Sequence, residues 1–212
     1  MARKPFVCSP IHPYHLGARS HNKMHFPIPI DEVWEIMSCY LSIINVGFQV
    51  QIHSFVLMSN HFHFIASFPE ANLSQAMQYF MQQTSRHISA SAGHINQIYG
   101  NRVFRSELSS HRHFENVYKY VYRNPVEAGL SLNVEDYEYS TLHGLIGSSH
   151  LRVPVIEDTI LFEEKFSLEN LKWLNTPTSE KHRIDMKNAL RKPQFKLRKI
   201  NHKANELDFI KY

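Results

Sequence analysis

The chain has 212 residues, 43% hydrophobic and 20% charged, with a formal net charge of +4. That is enough apolar material for one domain with an appendage, and no run approaches the roughly 18 apolar residues that a membrane span needs. With no secretory signal pattern in "MARKPFVCSPIHPYHL" and only Cys8 and Cys39, which lack CxxC spacing, a cytoplasmic protein without disulfides or a cysteine-based zinc site is expected.

In chain order, "PYHLGARS" (13–20) reads as a first strand, followed by a loop rich in turn residues, "HNKMHFPIP". "IDEVWEIMSCYLSII" reads as a helix with Asp31 as N-cap and Val33, Trp34, Met37, Tyr40, Leu41 and Ile44 at helical spacing, ended by Gly47. "FQVQIHSFVLM" and "HFHFIASF" read as an antiparallel hairpin turning at Ser59-Asn60. Alternation along the second arm sends His61 and His63 to one face and Phe62 and Phe64 to the other. "NLSQAMQYFMQQTSRHISASA" is a second helix with Leu73, Met77, Phe80, Met81, Thr84 and Ile88 as its core stripe, and "GHINQIYGNRVFRSELSSHR" follows as a loop.

"HFENVYKYVYRNPVEAGL" (113–130) carries the apolar stripe of a further helix: Phe114, Val117, Tyr118, Val121 and Tyr122. Pro125 disfavours helical geometry in the residue before it, so this helix is expected to stop near Asn124. Tyr120 and Asn124, at i and i+4, share a face separate from that stripe. Residues 150–212 change character, with an acidic stretch, a short amphipathic helix around Leu168, Leu171, Trp173 and Leu174, and then a basic tail. From Lys181 to Lys203 nine Lys or Arg face one acid, Asp185, a local balance of +8 that leaves −4 for the rest. Such a segment is the footprint of a polyanion contact, with Arg191, Lys192, Lys196, Arg198 and Lys199 as candidate phosphate contacts.

Two neutral imidazoles, His61 and His63, with the amide oxygen of Asn124 form a donor set for a divalent cation with open positions for a phosphate oxygen. Tyr120 then stands one helical turn away as nucleophile, assisted by a metal that polarises the phosphate. The rivals are Asn124 as a turn or cap residue before Pro125, and Tyr118 or Tyr122 as nucleophile under a different helical phase. His111 and His113, another i, i+2 pair, suit exposure or a phosphate contact. His15 reads as a packed histidine.

"MSNHFHFIAS" resembles the His-hydrophobic-His motif, and "YKYVYRNPVEAGL" resembles the tyrosine helix, of the single-tyrosine transposases of the insertion sequence 200 type. The similarity is greatest to the REP-associated tyrosine transposases, which "YHLGARSHNK" and "EDYEYSTLHGLIG" also resemble, and it spans residues 10–148. The resemblance implies an α+β fold: a ferredoxin-like palm, an antiparallel β-sheet with helices packed on one side, over residues 1–149. Residues 150–212, by their change of composition, read as a C-terminal helical and basic extension that packs on the palm and contributes DNA contacts. The resemblance implies His61, His63 and Asn124 as ligands of Mg2+ or Mn2+, and Tyr120 as the nucleophile forming a 5′-phosphotyrosine on single-stranded, hairpin-bearing DNA. It leaves monomer and homodimer both open. The competing functional readings are a domesticated or inactive hairpin-binding protein and a nickase that does not mobilise DNA.

Overall fold

The computed structural model describes residues 6–93, 97–156 and 167–197. Strand β1 (Tyr14–Arg19), helix α1 (Ile30–Phe48), strands β2 (Gln51–Met58) and β3 (His61–Ser67), helix α2 (Leu73–Ser91) and strand β4 (Phe104–Glu107) follow one another in the βαββαβ order of a ferredoxin-like palm. The sheet is antiparallel in every described pair, in the order β2-β3-β1-β4. The hairpin turns at Ser59-Asn60, as the sequence predicts.

Alternation divides the sheet into two unlike faces. Leu16, Phe55, Leu57, Phe62, Phe64 and Ala66 point to one side and form a core with α1 and α2, which bury Leu41, Ile44, Met77 and Phe80 against them. Val56, Met58 and Ile65 point to the other side, with His63 paired opposite Val56 and His61 opposite Met58. Helix α3 (His111–Glu127) covers this second face through Phe114, Val117, Tyr118, Val121 and Tyr122, all buried. Helices therefore occupy both faces rather than one: the second face also carries apolar residues, and burying them requires a cover.

Local departures from the sequence reading have physical causes. Pro29 holds the N-cap of α1, and Asp31 lies in the first turn, where a carboxylate meets the positive end of the helix dipole. Gly47 stays helical, and Gln49 supplies the left-handed stop at φ 54°. β4 is four residues, FRSE, with one apolar side chain and no readable alternation, and only its pairing with β1 reveals it.

Helix α3 runs through Pro125 to Glu127 instead of stopping near Asn124. Proline offers no N–H to the carbonyl four residues back. The carbonyl so left is that of Val121, which receives only a long contact from Asn124 Nδ2 at 3.4 Å, while the same Nδ2 donates at 2.7 Å to the Tyr120 carbonyl. Gly129, at φ +70°, follows the helix end.

The rest of the described chain packs on α3. Helices α4 (Thr141–Leu145), α5 (Leu168–Asn175) and α6 (Glu180–Leu190) contribute Leu142, Leu174, Met186, Ala189 and Leu190 to the second core, whereas Leu168 is 77% exposed. Gln194 then bridges in parallel to Glu107 of β4, with Glu107 N–H donating to the Pro193 carbonyl and Phe195 N–H to that of Glu107. On the far edge, Val155 bridges Ile52, and Leu57 N–H donates to the Tyr139 carbonyl. Among the described residues no helix is long and apolar enough to cross a membrane.

Candidate active site

Sheet register brings the histidines together. Arg19 lies opposite His61, Gly17 opposite His63, and His15 opposite Ile65, so one face carries His15, Arg19, His61 and His63. α3 lays Tyr120 across this row: its ring centroid is 5.6 Å from that of His63 and 6.4 Å from that of His15. The His61 and His63 rings are 5.0 Å apart and nearly perpendicular. Asn124, one turn along α3, lines the same cleft, which has a volume of about 1010 Å3.

Hydrogen bonds fix which atoms are presented. Asn60 Nδ2 donates to the Lys23 carbonyl at 2.7 Å, so its Oδ1 is the atom that meets His61 Nδ1, also at 2.7 Å. His61 therefore carries its proton on Nδ1 and presents a lone pair on Nε2. His63 Nδ1 lies 3.0 Å from His15 Nε2, and the two rings stack at 5.3 Å. When His63 Nδ1 is the donor of that pair, its Nε2 too is free. The Asn124 amide donates its Nδ2 to backbone, which leaves Oδ1 as its available acceptor.

Burial holds all three imidazoles neutral. His15 is pushed down to about 3 by burial, and His61 to about 4 by burial and then by the Arg19 charge. His63 falls well below the ordinary range through burial, then through His15 and His61, with Arg19 and Lys187 adding to it. Neutral imidazole is the ligand form. Among the described residues no three His, Cys, Asp or Glu side chains converge to hold a metal. Two imidazole nitrogens and the Asn124 amide oxygen make a mixed set that leaves positions for phosphate oxygens, and it fits magnesium or manganese.

Tyr120 is half-buried, and desolvation pushes its phenol up to about 12 against the opposing pull of Asn124, Arg19 and Arg191. Those two arginines point to the character of the whole cleft. Its lining carries seven Lys or Arg side chains against one carboxylate, Glu127. Glu127 is already engaged by Arg123 at 2.8 Å and by Arg183. Arg19, Arg102, Lys187 and Arg191 make no ion pair among the described residues.

Of the sequence candidates, His61, His63, Asn124, Tyr120 and Arg191 meet in this cleft. Lys192 and Lys196 are exposed outside its lining, and Arg198 and Lys199 lie outside the described residues. His111 pairs with Glu115 at 3.2 Å, and the His113 ring packs on Phe195 at 4.9 Å, so neither belongs to the site. The sequence reading missed Arg19, Asn60 and His15 as parts of it. Strand alternation alone puts 15, 17 and 19 on one face, but only the β1-β3 register shows that this face is the one with His61 and His63.

Fold and site together define the class, and comparison with known sequences agrees. The sequence model of the family described as "Transposase IS200 like" matches residues 19–124, half of the chain, and the chain belongs to that family. Among solved structures it is similar to a REP-associated tyrosine transposase bound to a REP hairpin. That likeness has a TM-score of 0.58 at 15% identity and covers 74% of this chain and 93% of the other. A putative transposase from Deinococcus radiodurans matches with a TM-score of 0.39 at 12% identity, covering 57% of this chain and 94% of that one. None of the curated proteins compared with the chain matches it.

Proposed function

We propose that the protein is a strand transferase that cleaves and rejoins single-stranded, hairpin-bearing DNA through Tyr120. The observation that carries this reading is the packing of the Tyr120 ring on that of His63, at 5.6 Å, in a cleft rich in cations. Tyr120 Oη attacks a phosphorus and the bond to the 3′ oxygen breaks. The phenol gives up its proton and the departing oxygen gains one. The product is a 5′-phosphotyrosine with a free 3′-hydroxyl, and attack by another 3′-hydroxyl reverses the step without an external energy source.

His61, His63 and Asn124 would hold a divalent cation, which would supply charge neutralisation at the scissile phosphate. The chain's own groups do the rest. Asn60 and His15 orient the two imidazoles, and Arg19 and Arg191 favour the phenolate that the buried site otherwise opposes. The cleft cations attract the phosphate backbone.

The test is incubation with labelled hairpin oligonucleotides carrying single-stranded flanks, with manganese or with chelator, followed by denaturing gels and mass spectrometry. A covalent adduct on the peptide containing Tyr120, formed only with metal and abolished by Tyr120→Phe, is the expected result. Cleavage unchanged by Tyr120→Phe overturns the mechanism, and bound but uncleaved DNA across the set favours a binding protein without catalysis.

A further inference from the structure

Beside the histidines the sheet offers a second, unassigned surface. Gly17 of β1 lies opposite His63 on one side and opposite Phe104 of β4 on the other, so these three residues form one row across the sheet. Paired residues share a face. The row therefore runs from the His63 imidazole, over a position with no side chain, to a phenylalanine two strands away, a span of ~10 Å from the usual strand spacing. Gly17 and Phe104 both line the active-site cleft.

Phe104 is 40% exposed, unlike the phenylalanines of β3, which are buried in the core of the opposite face. Its neighbour Arg105 points the other way and lies over the Phe6 ring, 3.6 Å from the centroid. Exposed aromatic rings in cationic clefts are platforms for unpaired bases. Cations flank this one: Arg19 follows Gly17 by two residues on the same face, and Arg102 lines the cleft two residues before Phe104. Both lack a carboxylate partner among the described residues. A Cβ at Gly17 would meet the Phe62 carbonyl oxygen at 3.0 Å, so the position holds no side chain without a shift of the strand pair.

We infer that the floor over Gly17 and the ring of Phe104 form a nucleobase subsite, seating one unpaired nucleotide next to the scissile phosphate with Arg19 and Arg102 on its phosphates. This rests on the reading of the cleft as a single-strand site. The subsite would tolerate different bases, because stacking uses the π-face that every base has.

The experiment separates the two ideas by measuring binding without chemistry. The full chain carrying Tyr120→Phe, in chelator, is titrated by fluorescence anisotropy with a DNA hairpin bearing a single-stranded flank, and an abasic residue is placed at each flank position in turn. One position should weaken binding by about ten-fold, the loss of one stacked base. Phe104→Ala should cost about the same on the intact probe and nothing further on the probe abasic at that position, while Phe104→Trp should restore the discrimination. Matching melting curves exclude misfolding as the cause. A position-specific penalty that persists undiminished in Phe104→Ala, or no penalty anywhere in the flank, overturns the subsite and leaves the single-strand reading standing. No binding to any probe overturns both.

Discussion

Asn60 shows how much a single side chain can decide. Its amide is tied at one end to the Lys23 carbonyl and at the other to His61 Nδ1, so the imidazole cannot rotate or change tautomer without breaking a hydrogen bond. Partners of this kind around ligating histidines are worth about 10–100-fold in metal affinity. Asn60→Ala should weaken Mn2+ binding by about ten-fold, measured by titration calorimetry, while leaving the melting temperature nearly unchanged. An unaltered affinity would argue against His61 as one of the proposed ligands. At this scale much was legible in the sequence. His61, His63, Tyr120 and Asn124 follow from alternation and helical phase, which are local rules. Arg19 and His15 were not, because their membership depends on which residues of a distant strand they face.

Helix α3 is the element on which the site turns. Arg123, 5% exposed, donates to the carbonyls of Leu174 and Asn175 and to Glu127, and Glu127 in turn holds Arg183 of α6. Glu127→Ala leaves a buried guanidinium short of its counter-charge and should cost about 2–3 kcal/mol in chemical denaturation. Arg183→Ala, which removes the more exposed partner, should cost under about 1 kcal/mol. The same helix buries Lys119, whose ammonium is pushed down to about 8 by burial and by Arg123. Between pH 8 and the ordinary value of 10.5 the unfolded chain binds more protons than the folded one, so stability should rise as pH increases from about 8 to about 9.5. Lys119→Met should remove that rise, as read from urea unfolding at the two pH values. The helix's extent was misread in the sequence for a reason visible here. Pro125 is a strong stop signal, and the Asn124 side chain that folds back onto the Tyr120 and Val121 carbonyls is counted by no propensity. β4 was missed for the opposite reason, since its stability lies wholly in its partner strand.

Across the whole molecule the charge is sorted by place. Arg19, Arg102, Lys187 and Arg191, which pair with no carboxylate among the described residues, line one cleft, while Arg86 is exposed on α2 on the far side of the sheet. For single-stranded DNA, each phosphate that a side chain neutralises adds about 0.7 to the steepness of log affinity against log salt. Alanine at any of the four cleft positions should reduce the slope by that amount, and Arg86→Ala should not. Equal slopes for all five variants would show that the cleft is not where DNA runs. The ferredoxin-like order was legible in the sequence through its likeness to a family, and β1, the hairpin and both long helices also from periodicity. Of the cover over the second face, α5 was legible as the short amphipathic helix around Leu168 to Leu174, whereas α4 and α6 were not, because short helices with few apolar residues leave weak periodic signals.

Both margins of the sheet are closed by residues that come late in the chain: Val155 against Ile52 on one side, and Pro193 to Phe195 against Glu107 on the other. During synthesis these segments leave the ribosome after all four strands have formed their ladder. Until then the nascent palm shows unpaired N–H and C=O groups on β4 and, before Val155 is made, at the Ile52 end of β2, the condition under which neighbouring copies pair strand to strand. Ribosomes stalled or chains cut short between residues 150 and 190 would thus release a protein with its histidines and tyrosine in place but with a tendency to aggregate.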